Sequence, residues 1–134
     1  MATAPNYAST PTVGAAVLTS INGGTRAAPT AGATIFTPGA SGGEIERIVI
    51  APNATTIAGT LLIYRVISAV YYLYAEIQLA VQTVAAGTAS TIQTLEAVDN
   101  PNLFPIAMPT GSTLYGVLSV AQTGVVVQVE GGSY

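Results

Sequence analysis

The chain has 134 residues, of which only nine are charged: three Arg and six Asp or Glu, with no Lys, His, Cys or Trp. An ordinary soluble domain is about 25% charged, whereas this one is 7% charged and half apolar; it has too little polar surface to cover itself alone and is suited to packing against other proteins. The inventory excludes imidazole, thiol and side-chain ammonium catalysis and any disulfide framework, and three scattered cations make no basic patch for nucleic acid.

Residues 1–12 carry no charge but hold Pro5, Pro11 and Tyr7. This composition predicts an extended N-terminal arm, either a frayed tail or an arm docked on a neighbour, with Pro5, Tyr7 and Pro11 as its contact residues. The opening lacks the basic and apolar regions of a secretory signal, so the chain is expected to stay in the cytoplasm until it is assembled. Residues 13–134 form the second unit, one domain long enough for a real core. Strands are predicted over 13–20, 34–37, 45–51, 60–67, 71–79, 91–98, 114–120 and 125–130, where β-branched and aromatic residues alternate with polar ones. Gly and Pro clusters at 22–24, 38–43 and 85–90 read as turns. In 71–79 the odd positions are apolar or amphipathic and predict a core face, with Tyr72, Tyr74, Glu76 and Gln78 on the wetter face. Residues 99–111 carry Pro101, Pro105 and Pro109 around Leu103, Phe104, Ile106 and Met108, which predicts a crossing or edge segment with Phe104 and Met108 as interface anchors. About eight strands and no helical periodicity predict an all-β, antiparallel, jelly-roll-like β-sandwich. The most apolar stretch, 61–75, is interrupted by Arg65 and is shorter than the ~20 residues of a membrane helix.

Chemistry is sparse. Gly39-Ala40-Ser41-Gly42-Gly43 has neither the spacing nor the base of a nucleophile elbow. Glu44 and Glu46, two apart, read as a solvated strand end beside Arg47 rather than a catalytic pair. Asp99-Asn100-Pro101-Asn102 reads as a turn rather than a calcium loop. No cofactor, metal or catalytic residue is therefore expected, and the chain is not read as an enzyme. Arg47 and Arg65 sit in apolar strands, so each should pair with a carboxylate, Glu46 or Glu76, or lie at an interface. The seven tyrosines are read as packing residues, with a sugar-binding surface as the other reading.

Several stretches together resemble a known group. They are the opening Met1-Ala2-Thr3-Ala4-Pro5-Asn6-Tyr7, the strand Gly43-Glu44-Ile45-Glu46-Arg47-Ile48-Val49-Ile50, and Thr55-Thr56-Ile57-Ala58-Gly59-Thr60-Leu61-Leu62-Ile63-Tyr64. The loop Met108-Pro109-Thr110-Gly111-Ser112-Thr113-Leu114 completes the likeness. This pattern is similar to the small β-sandwich proteins encoded beside capsid genes in tailed bacteriophages, which decorate or cement the head. The resemblance implies a virion location on the capsid surface and the major capsid protein as partner. A surface so poor in charge is itself expected to make the chain a homo-oligomer, a trimer by analogy with that group, and the scattered cations and the Arg65-interrupted apolar stretch predict no direct contact to nucleic acid or membrane. The resemblance brings no catalytic residues. The other function kept open is a head-fibre or tail-associated receptor module that binds glycans.

Overall fold

Short runs of Val, Ile, Leu and Thr bury one face at a period of two and stop at Gly or Pro, so the backbone pairs with neighbouring strands. The computed structural model describes residues 10–87, 89–96 and 103–134, which contain nine strands and no helix. These are β1 (Thr10–Leu18), β2 (Ala33–Phe36), β3 (Gly43–Pro52), β4 (Gly59–Ile67), β5 (Val70–Leu79), β6 (Gln93–Glu96), β7 (Ile106–Met108), β8 (Thr113–Leu118) and β9 (Val125–Ser133). All strand pairings are antiparallel. One sheet has the order β1-β9-β3-β6, with β7 also on β3, and the other has the order β2-β8-β4-β5. If β6 and β7 count as one broken strand along β3, this is the strand order of an eight-stranded jelly roll. The predicted all-β sandwich is the fold observed.

One boundary differs from expectation. Thr10, Pro11 and Thr12 pair with Ser133, Gly132 and Gly131, so the sheet starts inside the segment assigned to the arm. The proline-rich segment 99–111 holds an edge strand, β7, paired with β3 alone among the described residues; Ile106 and Met108 bury their side chains while Pro105 and Pro109 flank the short ladder. Residues 97–102, including Asp99, lie outside the described residues, as do Pro5 and Tyr7.

Between the sheets, Ile45, Ile48, Ile50, Val127 and Val129 meet Leu61, Ile63, Leu114, Leu118 and Ile77 in one cluster. At the edge of the sandwich, β1 lies against β2 so closely that a Cβ on Gly14 would sit 1.9 Å from the carbonyl oxygen of Ile35. Only glycine permits that approach.

The alternation predicted for β5 fails halfway along the strand. The β4–β5 ladder shifts where Ile63 opposes Ala75 and Tyr64 opposes Leu73, leaving Tyr74 as an extra residue. Beyond this bulge the faces exchange. Ile77 and Leu79 are in the core, but Leu73 is 39% exposed, and Tyr74 packs against the core with its hydroxyl donating to Leu103 O at 2.8 Å.

The second face of the smaller sheet is not wet either. Leu62, Tyr64 and Val117 are buried there, with Tyr71 and Tyr115 packed against them. The connection between β1 and β2 is bonded across this face. The Tyr64 hydroxyl donates to Arg26 O at 2.7 Å, Gly32 N donates to the Tyr115 hydroxyl at 2.7 Å, and Arg26 pairs with Glu76. Asn22 holds the loop's shape, its Oδ1 accepting from Gly24 N and Thr30 N.

Candidate functional site

A groove of about 510 Å³ lies on the larger sheet, lined by Glu44, Glu46, Arg47, Glu96, Glu130, Phe104 and Pro105. Its geometry starts from a bulge. The β3–β9 register shifts between Ile45, opposite Gly131, and Arg47, opposite Glu130, which leaves Glu46 out of the alternation. The bulge falls where β6 ends, Glu96 opposing Arg47, and β7 begins, Ile106 opposing Ile45. Glu44, Glu46 and Arg47 of one strand thus reach the same groove, although strict alternation would not put 44, 46 and 47 on one face.

Arg47 Nη2 donates to Glu130 Oε2 at 2.6 Å, and both side chains remain partly exposed. The hydrogen bond and charge of Glu130, with Glu96 adding to them, hold the Arg47 guanidinium above its ordinary range. The Tyr134 hydroxyl lies 3.4 Å from Glu44 Oε2. Burial, with the Glu44 charge beside it, pushes the ionisation of Tyr134 up. Among the described residues the groove gathers four carboxylates and one guanidinium, a formal −3 that equals the net charge of the whole chain. Such a surface repels phosphate and attracts cationic groups. Among the described residues no three acidic side chains converge as a metal would require.

These contacts correct the pairings expected from sequence. Arg47 is bound by Glu130, eighty-three residues away, rather than by Glu46 or Glu76, and Glu76 is taken by Arg26. Among the described residues Arg65 meets a carbonyl instead of a carboxylate: its Nη1 donates to Ala107 O at 3.0 Å, and its guanidinium lies 5.5 Å from the centroid of the Tyr74 ring. A cation over an aromatic face offsets part of its desolvation.

No protein-family model, curated protein or solved structure matches this chain.

The candidate contact residues fall in three places. Pro5 and Tyr7 are outside the described residues, and Pro11 is exposed near the start of β1. Phe104 and Met108 are corrected: they are 5% and 1% exposed and belong to the chain's own core, with only the edge of Phe104 reaching the groove wall. The apolar side chains that do face solvent are others. Val13 and Val17 lie along β1, Val70, Tyr72 and Leu73 surround the β4–β5 turn, and Ile21, Ile57, Val81 and Ile92 complete the set. Solvent exposure of Val13 and Val17 was legible only once β1 was known to be an edge strand with an uncovered outer face.

The tyrosines mostly pack. Tyr64, Tyr71 and Tyr115 meet edge to face, with centroids 5.2 to 6.4 Å apart. Of the clustered Tyr71, Tyr72 and Tyr74, Tyr72 alone is exposed, at 52%. The groove contains Phe104 as its one aromatic residue, and that ring is buried. The segment 39–43 is a tight turn closed by Gly42 N donating to Gly39 O at 3.0 Å, and Gly42 has φ of 84°.

Proposed function

We propose that this chain is a structural protein of a tailed-bacteriophage virion, a capsid decoration or cement protein bound in multiple copies between capsomers. One observation carries the reading. Nine large apolar side chains stand exposed among the described residues, on a chain with only nine charged residues in all. A surface so poor in charge favours partners over solvent. The jelly roll is also an architecture of viral capsid domains, an analogy of fold that adds weight without carrying the function.

The proposed partners are the major capsid protein and further copies of the chain, arranged as trimers on the outer shell after assembly in the host cytoplasm. The mechanism is mechanical rather than catalytic. Apolar surface buried between capsomers contributes about 25 cal/mol per Å², and association costs offset much of it at a single site. Repetition over the shell makes the remainder large. The test uses phage heads assembled without this chain, mixed with the purified protein. The expected result is co-sedimentation in fixed stoichiometry and genome release at a higher temperature. Heads that neither bind the protein nor gain resistance to heating would overturn the reading.

A further inference from the structure

β1 ends the larger sheet, and no strand among the described residues pairs with its far edge. A free edge is a row of unpaired backbone donors and acceptors whose chemical complement is another strand. Folded proteins blunt such edges with charge, bulges, proline or short length. The other edges here are blunted. β2 has four residues and a register shift, β6 and β7 have four and three, and β5 carries Glu76 and the bulge at Tyr74. β1 is different: nine residues in unbroken register with β9, no charge, and a proline only at its second position. Along its outer face Pro11, Val13, Ala15 and Val17 follow one another, all exposed, with Val13 at 69% and Val17 at 56%.

We infer that β1 pairs antiparallel with β1 of a second copy, joining two larger sheets into one continuous sheet. Charge and symmetry select the copy as the occupant. Two-fold antiparallel pairing of β1 sets this row of apolar side chains against an identical row, and neither side presents a charge to be left unpaired. The nearest charge is Glu130, opposite Val13 one strand inward and already bound to Arg47. In the pair, the two Glu130 side chains lie on strands three spacings apart, about 14 Å, which exceeds the ~8 Å screening length at physiological salt. Nine residues of strand span only about 30 Å. One such edge contact buries far less than the ~1,200 Å² of a stable free dimer. The pairing is therefore weak between free units, filling within the micromolar to sub-millimolar range, and strengthens when copies are held side by side. It deepens the multi-copy reading proposed above and rests on it.

Sedimentation equilibrium from about 5 to about 500 µM tests the pairing. The weight-average mass is expected to double from that of the basal unit at the lowest concentration. Val13→Lys combined with Val17→Lys, both at exposed positions, should hold the mass at the basal value. Because the chain has no cysteine, Ala15→Cys reports directly: mild oxidation should cross-link it at high concentration and leave Val81→Cys, at a position 69% exposed elsewhere, mostly free. A flat mass for the wild type, doubling of the lysine variant, or equal cross-linking of both cysteine variants would each overturn the pairing. Wild-type protein that binds heads while its mass stays flat overturns the pairing alone. A chain that doubles its mass but ignores heads overturns the capsid reading instead.

Discussion

The bulge in β5 makes neighbouring apolar residues unequal, and the inequality can be measured. Ile77 is 8% exposed and sits opposite Leu61 on the core face; Leu73, four residues earlier, is 39% exposed and opposes Tyr64 on the other face. Unbroken alternation would put both in the core, since four residues is an even step. Ile77→Ala removes buried carbons and leaves a cavity between packed sheets, which costs about 2–5 kcal/mol. Leu73→Ala loses only partly buried contacts and opens no enclosed space, so about 1 kcal/mol or less is expected. Gln78→Ala, exposed beside Ile77, should stay within about 0.5 kcal/mol. Equilibrium urea unfolding is the assay. With a slope of about 1–3 kcal/mol per M, the Ile77 variant should lower the midpoint by about 1 M or more at constant slope, and the Leu73 variant by well under that. Equal losses at Ile77 and Leu73 would refute the bulge.

Three further expectations follow the same logic. Gly14→Ala drives a methyl group into the Ile35 carbonyl at 1.9 Å; it should cost about 1–3 kcal/mol by chemical denaturation and raise proteolysis at β1 and β2. Ser68 and Ala69 turn the β4–β5 hairpin with φ of 51° and 63°, a primed turn that favours glycine at its second central position, so Ala69→Gly should stabilise the chain by up to about 1 kcal/mol in the same assay. Burial is the main cause that pushes the Tyr64 ionisation above its ordinary value near 10, with Arg26 opposing and Glu76 and Tyr115 adding. The unfolded chain then loses the Tyr64 proton first, so the contribution of this group to stability should be level below pH 10 and fall as pH rises beyond it. Tyr64→Phe should be less stable by about 1 kcal/mol at pH 8, through loss of the bond to Arg26 O, yet show a shallower decline above pH 10.

Much of the fold was legible because inward valines and isoleucines repeat at a period of two. Val125, Val127 and Val129 read directly as a core strand, as did Leu114 and Leu118, and all five are buried. Three features were not legible. The bulges at Glu46 and Tyr74 each insert one residue, and nothing in Glu-Ile-Glu-Arg or Tyr-Leu-Tyr-Ala marks where the ladder slips. The β1–β2 connection looks like turn material, so its crossing of the smaller sheet, which buries Tyr64 and Val117 on the face away from the main core, depends on long-range bonds to Arg26 and Gly32. The acidic groove draws on β3, β6 and β9, and the pairing of Arg47 with Glu130 spans eighty-three residues, a distance over which local pattern carries no information. Phe104 and Met108 were misplaced for a related reason: prolines flank a short ladder on β3 that turns apolar anchors inward.

A cryo-electron microscopy map of the phage particle produced by the cell that encodes this chain tests the account most directly. The account predicts jelly rolls of this strand order in many symmetry-related copies on the outer shell between capsomers, with exposed apolar side chains at the contacts. Density for the chain only at the tail, or its absence from the particle, would contradict it.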